Sequence, residues 1–344
     1  MRCLYLVEIP KSRMRRCFSH SIAALGLCLA AGPASAQMFS DPALEALFAA
    51  ERFDELERTG VQRLAAQADD LQALLAAALG ALRHNDAARR QAVLAQAEGC
   101  LQKQPRAAIC HYALGAVLGV QAASLGMLKL AASVGQVKSS LTEALALAPQ
   151  WYPARGALVE FYLLVPSLMG GSTARALETA RGAAHPQQVR ALEARIAMQD
   201  GKLEQALATL AELKPGNDVP LALDVIGWQR VACFGLLNEG KAEQARPHFE
   251  RLQRERPDLA FPPYGLGRIR SDAGAHDEAL KLYEQSRRLK GAAELPIAYR
   301  EGIALQGLGL KESARASFAR FIKAGKGSPA NLDDAKKRLE QLAS

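Results

Sequence analysis

Residues 264–283 read Tyr-Gly-Leu-Gly-Arg-Ile-Arg-Ser-Asp-Ala-Gly-Ala-His-Asp-Glu-Ala-Leu-Lys-Leu-Tyr. The stretch reads as helix, glycine turn, helix. Gly274 supplies the positive φ that ends the first helix. Ala279 follows Gly274 by five residues, and Tyr283 lies one helical turn further on the same face. Twelve residues before Ala279 stands Gly267. A small residue on the first helix lets the two helices approach closely, and a large one on the second fills the space between them.

The same phase recurs three more times. Gly201, Gly240 and Gly309 open short polar stretches that lead to Ala206, Ala245 and Ala314. Leu210, Phe249 and Phe318 take the large position, and Ala194, Cys233 and Gly302 the small one. Successive turn glycines are 39, 34 and 35 residues apart. Pro257 closes one unit just past its second helix. The region 40–328, above all after residue 187, resembles the tetratricopeptide repeat family, whose unit is about 34 residues. Tyr264-Gly265-Leu266-Gly267 with Ala279 and Tyr283 matches that pattern best, and Ser313-Ala314 with Phe318 is similar. The resemblance implies an all-α fold: a right-handed superhelical solenoid of helix–turn–helix repeats with a C-terminal capping helix. Residues 37–186 read as degenerate repeats with insertions, 187–328 as regular repeats and 329–344 as the cap. The cap sets Leu332, Ala335, Leu339 and Leu342 on one face and charges on the rest.

The degenerate half still pairs its helices. Residues 41–68 form one pair, with Leu44, Leu47, Phe53, Leu56 and Leu64 inward. Residues 71–104 form another, broken at His84-Asn85-Asp86 and stopped near Pro105. The next unit opens at His111-Tyr112-Ala113-Leu114-Gly115. Gly115 and Pro149 are 34 residues apart, about ten more than the repeat pattern allows. The added residues include Val120, Leu125, Met127, Leu128 and Leu130, so longer helices are expected rather than a loop. After Phe161-Tyr162 the turn is enlarged through Val165-Pro166-Ser167-Leu168-Met169-Gly170-Gly171-Ser172. An aromatic pair, a proline, a Gly-Gly-Ser turn and an alanine-rich helix together resemble a group of exported bacterial tetratricopeptide proteins of undefined role.

Residues 1–36 have the three-part layout of a secretory signal. Arg15-Arg16 is the positive start and residues 21–31 the apolar stretch. Pro33 is followed by Ala34-Ser35-Ala36, small residues where a signal peptidase reads, with cleavage after Ala36. Met14 is an alternative start. Cys28 follows Leu25-Gly26-Leu27, a poor lipidation context. The apolar run is short for a ~30 Å hydrocarbon core, and no later segment is expected to span a membrane. The mature chain is therefore expected in the periplasm or secreted. Of the formal net charge of +8, five cations against Glu8 place +4 in residues 1–36 and leave +4. That remainder is scattered, with no basic run, and argues against a nucleic-acid partner. Hydrophobic residues make up 49% of the chain and aromatics only 6%. A core rich in alanine and leucine favours helices over sheet.

Catalytic chemistry is not evident. After the signal the cysteines are Cys100, Cys110 and Cys233. The chain turns at Pro105, so Cys100 and Cys110 are candidates for a disulfide that clamps two repeats; two buried free thiols are the alternative. Cys233 holds a small-residue position and reads as inert core. His84, His111, His185, His248 and His276 lack ligand-like spacing, so no metal is expected. No phosphate loop or zinc-protease motif occurs, and no cofactor is expected. The run Gly170-Gly171-Ser172-Thr173-Ala174 lacks the final glycine and preceding strand of a nucleophile elbow. Ser172 reads instead as a helix N-cap.

The expectation is therefore a non-catalytic scaffold binding a protein or peptide in the solenoid groove. Candidate partner-binding residues are Trp228, Arg230, Arg268 and Arg270 on first helices, with the Met169-Gly170-Gly171 turn as a second contact. Trp228 as core and the turn as merely structural are the alternatives. A chaperone or assembly factor for envelope proteins would use the same groove. An enzyme with a site in the N-terminal half is a third reading, disfavoured because residues 112–149 carry charge only at Lys129, Lys138 and Glu143.

Overall fold

A computed structural model describes residues 37–84, 86–325 and 327–342. The expected signal segment and its cleavage point lie outside the described residues. Among the described residues there are seventeen α-helices, and the one β contact is an isolated bridge between Leu259 and Lys290. The helices form eight hairpins and a cap. The first four hairpins are α1 (Pro42–Ala49) with α2 (Phe53–Ala66), α3 (Leu71–Ala81) with α4 (Ala87–Lys103), α5 (Ala108–Ser124) with α6 (Met127–Leu147), and α7 (Tyr152–Leu164) with α8 (Thr173–Arg181). The second four are α9 (Pro186–Gln199) with α10 (Leu203–Glu212), α11 (Val219–Asn238) with α12 (Ala242–Glu255), α13 (Phe261–Asp272) with α14 (His276–Arg287), and α15 (Ile297–Gly307) with α16 (Lys311–Ala324). The cap is α17 (Pro329–Gln341). Each helix packs on its chain neighbours, and first helices also touch the first helices of the next hairpin, as α3 does α5 and α11 does α13. That is the stacking of a solenoid.

The repeat signature has a physical basis. The turn glycines Gly201, Gly240, Gly274 and Gly309 have φ of 74°, 75°, 83° and 74°, a conformation that costs a residue with a Cβ. A Cβ on Gly267 would stand 2.6 Å from the Tyr283 ring, and one on Gly302 2.6 Å from the Phe318 ring. Small and large positions therefore meet across the last two hairpins, where Tyr283 and Phe318 are completely buried. In α17, Leu332, Leu339, Leu342 and buried Ala335 cover Tyr299, Phe318 and Phe321.

The lengthened third unit is helical, with 17 residues in α5 and 21 in α6. Its far end is not covered: Val120, Leu125 and Leu128 are exposed. The expectation that no later segment is long and apolar enough to span a membrane needs correction. Helix α11 has 20 residues and an 18-residue window of mean hydropathy 1.3, which meets that criterion by length and composition. Its apolar character has a packing reason: it touches α9, α10, α12 and α13 and buries Leu221, Val225, Ala232, Cys233 and Leu236.

Candidate functional site

Helix α11 begins with Asp218, whose carboxylate accepts from the Leu221 amide at 3.0 Å, and with Pro220 in the first turn. One turn later an apolar run is interrupted by Asp224. Tyr152, at the start of α7, donates its hydroxyl to Asp224 Oδ2 at 2.8 Å. This bond joins two first helices and forms the floor of a cavity of about 500 Å³. First helices supply most of the wall: Leu79 from α3, Tyr112 from α5, Ala157 from α7, and Leu223 and Trp228 from α11. Phe48 from α1 and Phe53 from α2 cover one side, and Leu259, Phe261, Lys290, Gly291, Glu294 and Leu295 another.

Burial pushes the Asp224 carboxyl up to about 7; the Tyr152 hydrogen bond opposes this, and the nearby Glu160 and Asp218 add to it. Burial also raises the phenols of Tyr112 and Tyr152, and the Asp224 charge raises them further. The rim differs from the floor. Lys290 pairs with Glu51 at 3.0 Å, while Glu294 accepts from Arg230 at 2.8 Å and lies 3.7 Å from Arg83. Glu51 and Arg83 thus link the first two hairpins to the turn between α14 and α15, and Arg230 links α11 to it. Glu160 receives two hydrogen bonds from Arg195, at 2.7 and 2.8 Å.

The sequence-predicted residues fall in three places. Trp228 and Arg230 both line the cavity. Arg268 and Arg270, on α13, are outside its lining: Arg268 donates to Asn238 Oδ1 at 3.0 Å, and Arg270 pairs with Glu278 at 3.3 Å. Met169, Gly170 and Gly171 form a separate turn beside the fully exposed Leu168. A Cβ on Gly171 would run into the Val165 carbonyl, which gives that glycine a structural reason. Ser172 caps α8 by accepting from the Arg175 amide at 3.3 Å. Cys100 is joined to Cys110, Cα atoms 5.7 Å apart, linking the end of α4 to α5. Cys233 is buried, its thiol pushed up to about 12 by burial. Among the described residues no group of three His, Cys, Asp or Glu side chains could hold a metal ion.

No protein-family model matches the chain, and none of the curated proteins does. Solved structures do. Yeast Tom70 superimposes with a TM-score of 0.53 at 14% identity, over 80% of this chain and 57% of that one. The fold is the tetratricopeptide-type solenoid. Human IFIT1, as a dimer with PPP-AAAA, gives a TM-score of 0.48 at 16% identity over 79% of this chain and 63% of that one. Pseudomonas aeruginosa pilF gives 0.43 at 16% identity over 68% and 99%. The chain thus spans less than two thirds of the length of Tom70 and of IFIT1.

In a tetratricopeptide solenoid the first helices line the inner face, and this cavity sits on them. Sequence reasoning found Trp228 and Arg230 but missed Asp224, Tyr152 and the rim pairs. One signal was legible: within Val219–Asn238, Asp224 has no cation three or four positions away. A carboxylate there has no local reason to be tolerated.

Proposed function

We propose that the protein is a non-catalytic scaffold of the bacterial envelope that holds a partner polypeptide on its inner face. The observation that carries this reading is the placement of Trp228 and Arg230 on the wall of a cavity built from first helices. Aromatic and arginine side chains are the usual anchors of such contacts. A periplasmic or secreted location rests on the signal-like residues 1–36, and a Cys100–Cys110 bond suits an oxidising compartment. The test places a photo-cross-linking residue at Trp228 and, as a control, at the exposed Glu243 on a second helix, in the full chain within living cells. One dominant adduct from position 228, absent from 243 and lost with Arg230→Glu, supports a dedicated scaffold. A broad set of envelope proteins assigns a chaperone or assembly role instead. No polypeptide adduct overturns both and returns attention to an enzymatic site in the N-terminal half.

A further inference from the structure

The cavity itself has a charge pattern that a polypeptide groove does not require. Every other charged side chain on its lining has an opposite charge beside it. Glu51 has Lys290, Glu160 has Arg195, and Arg83 and Arg230 share Glu294. Asp224 has none. Its sole partner is the Tyr152 hydroxyl on Oδ2, and Oδ1 has no donor among the described residues. The neighbouring acids Glu160 and Asp218 act on it as like charges. A desolvated carboxylate without a counter-charge costs several kcal/mol when ionised, and packing does not account for its presence on an otherwise apolar helix face.

We propose that the cavity binds a small organic cation, with an ammonium group on Asp224 and an aliphatic or aromatic body against Phe48, Phe53, Tyr112 and Trp228. The volume of about 500 Å³ lies inside the range of small-molecule sites, ~300–1,000 Å³. An apolar wall with one fixed polar anchor is the usual composition of such sites, and aromatic rings add attraction for a cation. An anion would meet Asp224, which has no cation beside it. A divalent metal would want several oxygen ligands, and the lining offers aromatic rings around one free carboxylate oxygen. The inference does not depend on a polypeptide partner: either can fail without the other.

The probes are phenethylammonium and its uncharged counterpart 2-phenylethanol, titrated into residues 37–344 with tryptophan emission as the signal. Both tryptophans report on the site, since Trp228 lines the cavity and the Trp151 ring lies 4.8 Å from that of Tyr112. Saturable binding of the ammonium, about ten-fold or more tighter than the alcohol, is expected from a charge-assisted contact. Asp224→Asn should bring the ammonium down to the level of the alcohol and leave the alcohol unchanged, with circular dichroism confirming the fold. Equal affinity of the two probes for the unaltered protein would overturn the proposal. So would the absence of a saturable response to phenethylammonium up to about 10 mM, weaker than any contact worth calling a site, or an Asp224→Asn variant that binds the ammonium as tightly as the parent.

Discussion

The two halves of this solenoid solve the same packing problem by different means. In the last two hairpins of the regular half one small and one large residue meet: Gly267 with Tyr283, Gly302 with Phe318. The ring fills the space that the glycine opens, so a single pair sets the spacing of two helices. In the degenerate half such ring–glycine pairs give way to backbone contact. A Cβ on Gly60 of α2 would lie 2.6 Å from both the Ala73 carbonyl oxygen and the Ala77 amide nitrogen of α3. Residues 73–81 of α3 are all buried, and most are alanine. A covalent link between α4 and α5 supplements this packing. The degenerate half also leaves Val61, Val120, Leu125, Leu128, Leu164 and Leu168 exposed, against Val231 and Leu310 in the regular one. Loss of the lock frees a half to lengthen helices and enlarge turns.

The contrast can be broken most sharply at Gly267. Gly267→Val should destabilise the chain by about 3 kcal/mol in urea melts, since the Tyr283 ring is completely buried and has nowhere to move. A loss below about 1 kcal/mol, an ordinary surface-like effect, would mean that the ring–glycine pair is not the lock. Next in size is the covalent link of the other half. Replacing Cys100 and Cys110 by alanine opens a loop with a sequence separation of 10, and chain entropy assigns such a loop about 2.5 kcal/mol. Hydrogen exchange should quicken in α4 and α5 and stay unchanged in α13 to α16. Uniform quickening would show that the halves unfold as one.

Asp224 tests the seam between the halves, where α11 meets α7. Its folded pKa of about 7 lies above the ordinary value of 3.8, so the folded chain holds this proton more tightly than the unfolded one. Its contribution is therefore most favourable below the unfolded pKa, declines as pH rises between the two values, and is lost above about 7. Asp224→Asn removes that penalty. At pH 8 the variant should be more stable than the parent by on the order of 2 kcal/mol, and thermal melts should converge only as the pH falls to the ordinary value of 3.8. A constant difference across that range would place the cause elsewhere. The smallest effect concerns Gly99, on α4, where an added Cβ meets nothing within 4 Å. Gly99→Ala should stabilise by about 0.5–1 kcal/mol through helix propensity alone. Adding a side chain at a helical glycine thus stabilises at Gly99, where space is open, and destabilises at Gly267, where the Tyr283 ring opposes it.

The repeats were legible because their determinants are local. Gly274, Ala279 and Tyr283 lie within ten positions of one another, and helical periodicity alone assigns them to faces. The helix breaks at Pro105 and Pro149 were readable for the same reason. Arg268 and Arg270 shared with Trp228 and Arg230 the property of lying on first helices, yet only the second pair lines the cavity. Position on a helix is written in the sequence. Which stretch of the inner face is roofed over depends on how the hairpins stack.

The sequence by itself determined the secondary structure, the helical pairing and the close approach of Gly267 and Gly302 to their rings, because each depends on neighbours a few turns away in the chain. Only the tertiary structure decided that Tyr152 reaches Asp224 across 72 positions, and that Glu51 of the first hairpin turns toward Lys290 near the last repeats. A small rotation at each stacked repeat accumulates along a solenoid. No single unit encodes where its distant neighbours will arrive, and the cavity exists only as the sum of those rotations.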